Sequence, residues 1–239
     1  MGFWSKVKKA VKKVVRVVRG VISQVVNIVF NVVQSIIGIP DWIGSLIGIR
    51  PKKKLRLKVD VLRDQNGSYL ATQKELVPII QKVIEIYKKR CNKKVIPVKE
   101  NFIEFYDPIP PRDALFPSCD GGAWTNDLGL AGSFYSLVTA VSKGGLLGFG
   151  YASPVTAIVV QDIIDKKGCS LGPLTNYITI DLSGISTLDT LSHEIGHSCS
   201  LLHRKRKSNL MYRKSKDRGD DLSHWQSSII RWSKHATYL

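Results

Sequence analysis

Three of the chain's five histidines fall in one short run, His193-Glu194-Ile195-Gly196-His197-Ser198-Cys199-Ser200-Leu201-Leu202-His203. Two histidines four apart on a helix stand one above the other on a single face, within reach of one metal ion. Glu194 then lies beside that ion, where hydrolytic chemistry needs a base to take a proton from water. His203 completes a set of three nitrogens and leaves the fourth position of a tetrahedral Zn²⁺ site open. An unbroken helix cannot deliver it, because at about 100° per residue His203 would point away from the face of His193 and His197. The chain must therefore turn near Ser200 and come back beneath the ion.

The pattern H-E-x-x-H-x-x-G-x-x-H followed by a methionine turn makes residues 55–239 resemble the metzincin metallopeptidases. Ser208-Asn209-Leu210-Met211-Tyr212 stands where the Met-turn belongs. The resemblance implies a zinc endopeptidase with Glu194 as the catalytic base and His193, His197 and His203 as metal ligands. It also implies an α+β fold, a twisted mixed sheet with an active-site helix above a helical C-terminal part. Met211 would form the floor beneath the histidines. Tyr212 follows Met211 directly, whereas the transition-state tyrosine of astacins and serralysins comes two residues after the methionine, so it is assigned no catalytic role. The sequence departs from the pattern at Ser200, which replaces the turn glycine. A left-handed serine there costs ~1 kcal/mol.

The elements that must hold these residues can be read from periodicity. Leu55, Leu57, Val59 and Val61 alternate with polar residues, a half-buried strand over 55–62. Residues 72–90 carry Leu76, Ile79, Ile80, Val83, Ile84 and Ile86 at helical spacing. Val95 to Glu104 alternates again and reads as a second strand. The prolines and glycines of 107–150 read as a long insertion bordering the cleft, with a helix over 130–141 inside it. Strands are expected over 154–164 and 176–182, the latter leading into the metal helix, capped by Ser186 or Thr187 with Asp189 in its first turn. A closing helix over 221–234 should pack beneath the site through Leu222, Trp225, Ile229 and Trp232. His224 and His235, in or beside it, are not needed as ligands.

Charge sets the rest of the chain apart. Net charge is +17, from 36 basic and 19 acidic residues, a balance that favours anionic partners without choosing among them. Residues 1–49 form a separate cationic segment ahead of a catalytic domain over 50–239. Within it, residues 3–37 read as one amphipathic helix, with Lys9, Lys13, Arg16, Asn27 and Asn31 opposite Val7, Val11, Val14, Val18 and Val25. Its apolar face suits an anionic membrane surface more than nucleic acid, with an export signal and plain structural packing as competing readings. A secreted or membrane-associated protein is the expectation, although no standard cleavage site follows. A short helix should begin near Pro40 and Asp41. The basic run Arg204–Lys207 sits near the cleft in sequence, which makes a preference for acidic substrates conceivable beside the plainer reading of a solvated loop.

Cys91, Cys119, Cys169 and Cys199 have no C-x-x-C spacing, so a cysteine metal site is not expected. They allow three full pairings, and sequence does not choose between these and free thiols. The peptide or protein substrate implied by the resemblance competes with a second class of function. In that class, a membrane-active or partner-binding protein uses an inactive peptidase fold as scaffold.

Overall fold

The computed structural model describes residues 39–49, 51–119, 130–141 and 153–238. The helix expected over 3–37 lies outside them, as does most of the insertion after Cys119. Among the described residues, no helix is long and apolar enough to cross a membrane.

Strand β1 (Lys53–Val61) is the axis of the sheet. Leu55, Leu57, Val59 and Val61 are wholly buried on one face, as their alternation requires. Helix α1 (Ile39–Leu46) precedes it, and α2 (Gln73–Cys91) covers that face with Leu76, Ile79, Val83, Ile86 and Tyr87. The ends of α2 are fixed locally. Thr72 and Glu75 form a reciprocal capping box, and Asn92 stops the helix at φ 49°.

The sheet is mainly parallel. Strands β2 (Lys93–Pro97), β3 (Ile103–Phe105) and β4 (Val155–Val159) all pair with β1 in parallel. Strand β6 (Tyr177–Ile180) runs parallel to β4, and β5 (Gly168–Ser170) closes that edge antiparallel to β6. The continuous strand expected over 95–104 is two strands instead. Pro97 faces Leu57 and Ile103 faces Val59, so residues 98–102 loop out opposite a single residue of β1. Pro97 has no N–H to extend the ladder, which gives the break its reason.

A second apolar cluster lies on alternate residues of the same strands. Ile158, Val160 and Tyr177 meet Leu115, Phe134 and Tyr135, the last two from α3 (Leu130–Val141). A disulfide joins Cys119 to Cys169 of β5, while Cys91 and Cys199 are free and buried.

Between β6 and the metal helix the chain differs from expectation. Asp181 caps a short helix, α4 (Leu182–Ile185), by accepting from the Gly184 N–H at 2.6 Å. Ser186 and Thr187 turn their hydroxyls back onto carbonyls of that helix, so neither caps the next one. Helix α5 (Thr190–Ser198) starts at Asp189, whose side chain makes no cap bond. The last helix, α6 (His224–Trp232), is capped by Ser223 and Gln226, and β7 (Ala236–Thr237) returns antiparallel to β1. Helix α6 is rotated from the expected orientation. Trp225 is 47% exposed, while Gln226, Ser227 and Ile230 are buried.

Candidate metal centre

Helix α5 is pinned from behind, where the Tyr87 hydroxyl donates to the Ser192 carbonyl at 3.1 Å. It carries His193, Glu194 and His197 on the side facing the cleft. The helix then ends in a turn that only a left-handed residue allows. Ser200 has φ 72°, its N–H reaches the His197 carbonyl at 2.8 Å, and the Leu201 N–H reaches the Gly196 carbonyl at 3.0 Å. These are the two bonds of a Schellman motif, and they turn the chain back toward the cleft.

That reversal brings His203 to the other two histidines. The Nε2 atoms of His193 and His197 are 3.1 Å apart, and those of His197 and His203 are 3.2 Å apart. Ligand nitrogens of a tetrahedral zinc ion, each at about 2.1 Å from the metal, stand about 3.4 Å from one another. Carbonyl groups fix the tautomers. His193 Nδ1 donates to Leu210 O at 2.8 Å and His197 Nδ1 to Leu201 O at 2.7 Å, which leaves both Nε2 lone pairs turned toward the shared centre. Burial, with the charge of Arg218 added, lowers His193 to a pKa of about 3. Burial lowers His197 to about 4 and also lowers His203. Three neutral imidazoles converging without a proton to share fit a divalent cation. They are the described residues best placed to hold one.

Met211 lies under the helix. A Cβ on Gly196 would come within 2.5 Å of its Sδ, so any side chain there would have to push the methionine aside. Asn209 shapes this floor, accepting from the Met211 N–H at 2.9 Å while exchanging two hydrogen bonds with the buried Gln226 of α6. Of the remaining histidines, His224 is exposed, and His235 bonds Ser198 and Ser153 away from the cluster.

Glu194 is buried against β5, where a Cβ at Gly168 would lie 2.7 Å from its Cγ. Burial raises its pKa to about 7, against the lowering effect of Arg218 and Lys166. A carboxyl poised near neutrality can accept a proton and return it.

The cleft in front of these groups has a volume of about 950 Å³. The basic run Arg204–Lys207 does not line it and is exposed to solvent, in keeping with the plainer reading of a solvated loop. The cations that do border it come from the chain before β5 and from the loop after the Met-turn. Sequence reading missed these residues, Arg218 above all. The density of Arg and Lys in 213–218 was the available signal.

No family model and no curated protein matches the sequence. Among solved structures, metalloproteinase-II from Bacteroides fragilis aligns with 69% of this chain and 48% of its own, at 15% sequence identity and a TM-score of 0.43. The chain thus spans about half the length of that protein.

Proposed function

We propose that the chain is a metzincin-type zinc endopeptidase that cleaves peptide bonds in a protein or peptide substrate. The observation supporting it is the convergence of three neutral imidazole nitrogens with a buried carboxylic acid of near-neutral pKa beside them. His193, His197 and His203 would hold the zinc ion, which when bound supplies Lewis acidity for polarising a carbonyl and making water acidic. Glu194 takes the proton from the attacking water and passes it to the leaving amine. The carbonyls of Leu210 and Leu201 keep His193 and His197 in the tautomer that leaves Nε2 free. Met211 supports the imidazoles from below without acting as a ligand.

In this reading residues 50–239 are the catalytic unit and residues 1–49 a targeting segment for an anionic membrane surface. A secreted or membrane-associated setting agrees with the Cys119–Cys169 disulfide, since such bonds persist in oxidising compartments.

The decisive measurement is zinc content together with peptide hydrolysis. Wild-type protein should carry one zinc per chain, and Glu194→Gln should keep the metal while hydrolysis falls by roughly 100-fold or more. Zinc retained with no hydrolysis by wild type would favour the scaffold alternative. No zinc uptake at all would defeat both the cofactor and the mechanism. Deleting residues 1–49 should abolish liposome binding while leaving cleavage intact.

A further inference from the structure

Six cations border the cleft: Lys166, Lys167, Arg213, Lys214, Lys216 and Arg218. Four acids line it as well. Asp181 is engaged in capping α4, Glu194 is the proposed base, and Asp162 and Asp165 belong to the turn before β5. Outside the cleft, Asp217 turns to Lys207 at 3.7 Å. Arg213, Lys214 and Lys216 are exposed and have no acidic partner among the described residues. Excess positive charge is thus concentrated where a ligand enters.

Arg218 is the cation built into the wall. Its side chain is 5% exposed, and its Nε donates to the Tyr212 carbonyl at 2.9 Å. That bond holds the loop beside the Met-turn. Asp189 Oδ2 stands 3.5 Å from the same Nε, too far for a strong hydrogen bond, and has no other partner. Nη1 of Arg218 is buried with no hydrogen-bond partner. A buried guanidinium N–H left unmet is costly, and a carboxylate is the group whose geometry satisfies it best.

We infer that the cleft is specific for peptides with an acidic side chain beside the bond to be cut, and that Arg218 is the residue that recognises it. The inference rests on the peptidase reading, to which it adds a substrate class. The carboxylate pairs with the Arg218 guanidinium at the cleft wall, with Lys214 and Lys216 drawing it in from solvent. Arg218 is thereby a specificity residue, distinct from the metal ligands and from Glu194.

The test measures binding and cleavage separately. Fluorescein-labelled alanine-rich peptides bearing a single central Glu, Ala or Lys are titrated into the zinc-loaded Glu194→Gln protein and followed by anisotropy. The Glu peptide should bind about tenfold more tightly than the Ala peptide, and the Lys peptide more weakly than either. Arg218→Gln, compared at saturating zinc because Arg218 also holds the loop beside the Met-turn, should reduce the Glu preference to within about twofold. Arg218→Lys, which keeps the charge and loses the fork, should retain part of it. A preference that survives Arg218→Gln, or wild-type-like selection by Arg218→Lys, overturns the assignment. If Arg218→Gln does not fold, Arg218→Lys and the exposed pair Lys214→Ala with Lys216→Ala decide the matter. Each should lower the preference severalfold, and no change in either sinks it.

Cleavage-site mapping of a mixed peptide library by the wild type separates the two readings. Cleavage without enrichment of acidic residues removes this inference and leaves the peptidase. Arg218-dependent binding of the Glu peptide without any cleavage keeps the recognition site and removes the peptidase.

Discussion

Helix α5 and the irregular chain from Cys199 to Leu222 each deliver part of one site by different means. Helix α5 presents His193 and His197 from a rigid element backed by α2 and by the buried Tyr87 hydroxyl. Its geometry follows from backbone hydrogen bonds that almost any sequence can make. Between Cys199 and Leu222, by contrast, the described structure has only a single turn of 3-10 helix, at Ser215–Asp217. The position of His203 and Met211 there depends on individual side chains: Asn209 bridging to Gln226, Arg218 holding the Tyr212 carbonyl, and Gly219 packed where a Cβ would strike the Ser208 backbone. The comparison suggests that the helical half tolerates substitution outside its ligands, whereas the loop half is specified almost residue by residue.

The largest expected effect compares the ligands themselves. Loss of an outer partner of a metal-binding histidine costs about 10–100-fold in affinity, so loss of a ligand should exceed roughly 100-fold. Competition with a zinc chelator should show this for both His193→Ala and His203→Ala. If His203→Ala binds zinc like wild type, the loop half contributes no ligand and the comparison collapses.

Asn209→Ala should act next most strongly. It leaves the buried Gln226 Nε2 without its acceptor and frees the Met211 N–H, at a cost of about 1–3 kcal/mol. Urea unfolding measures the stability loss, and weakened zinc binding by the same variant would show that the loop positions the metal site.

The sheet offers a pH test of the helical half's foundation. Asp60, buried in β1, has its pKa raised from 3.8 to about 6 by burial, against the lowering effect of Lys58. A raised pKa means that the folded state holds the proton more tightly. Asp60's contribution is therefore complete below pH 4 and lost as pH rises to about 6. Its size is about 1–3 kcal/mol. Asp60→Asn should flatten that part of the stability profile, and an unchanged slope would contradict the burial argument.

Ser200→Gly should have the smallest effect and the opposite sign. Relief of the left-handed strain gives up to ~1 kcal/mol of stability, reduced by the greater freedom of glycine in the unfolded chain. A destabilised Ser200→Gly would mean that the serine makes a contribution beyond tolerating the turn.

Much of this organisation was legible in the sequence where one physical rule governs a segment. The alternation of Leu55 to Val61 and the helical spacing from Leu76 to Ile86 identify a strand and a helix sharing one core. Histidine spacing gave the three nitrogens, and geometry alone required a reversal at Ser200, where φ is positive. Elsewhere local patterns were ambiguous. Alternation continued through Val98 and Phe102, hiding the break that Pro97 imposes. The face of α6 was misjudged because Trp225 looks like core, whereas the capping role of Gln226 and its bond to Asn209 turn a polar residue inward. Arg218 was invisible as a site residue because its importance depends on where the loop after Met211 returns, and no periodicity encodes that.

The close approach of Gly168 to Glu194 makes β5 and α5 an interlock. The space for the carboxyl group is set as much by a missing methyl on the edge strand as by the helix that bears it. Alanine at position 168 would displace that group by bulk alone, sparing all three imidazoles and every ionisable residue. On the peptidase reading, such a variant silences turnover without changing the formal charge of any residue, and so is a trap for the molecule that the protein engages.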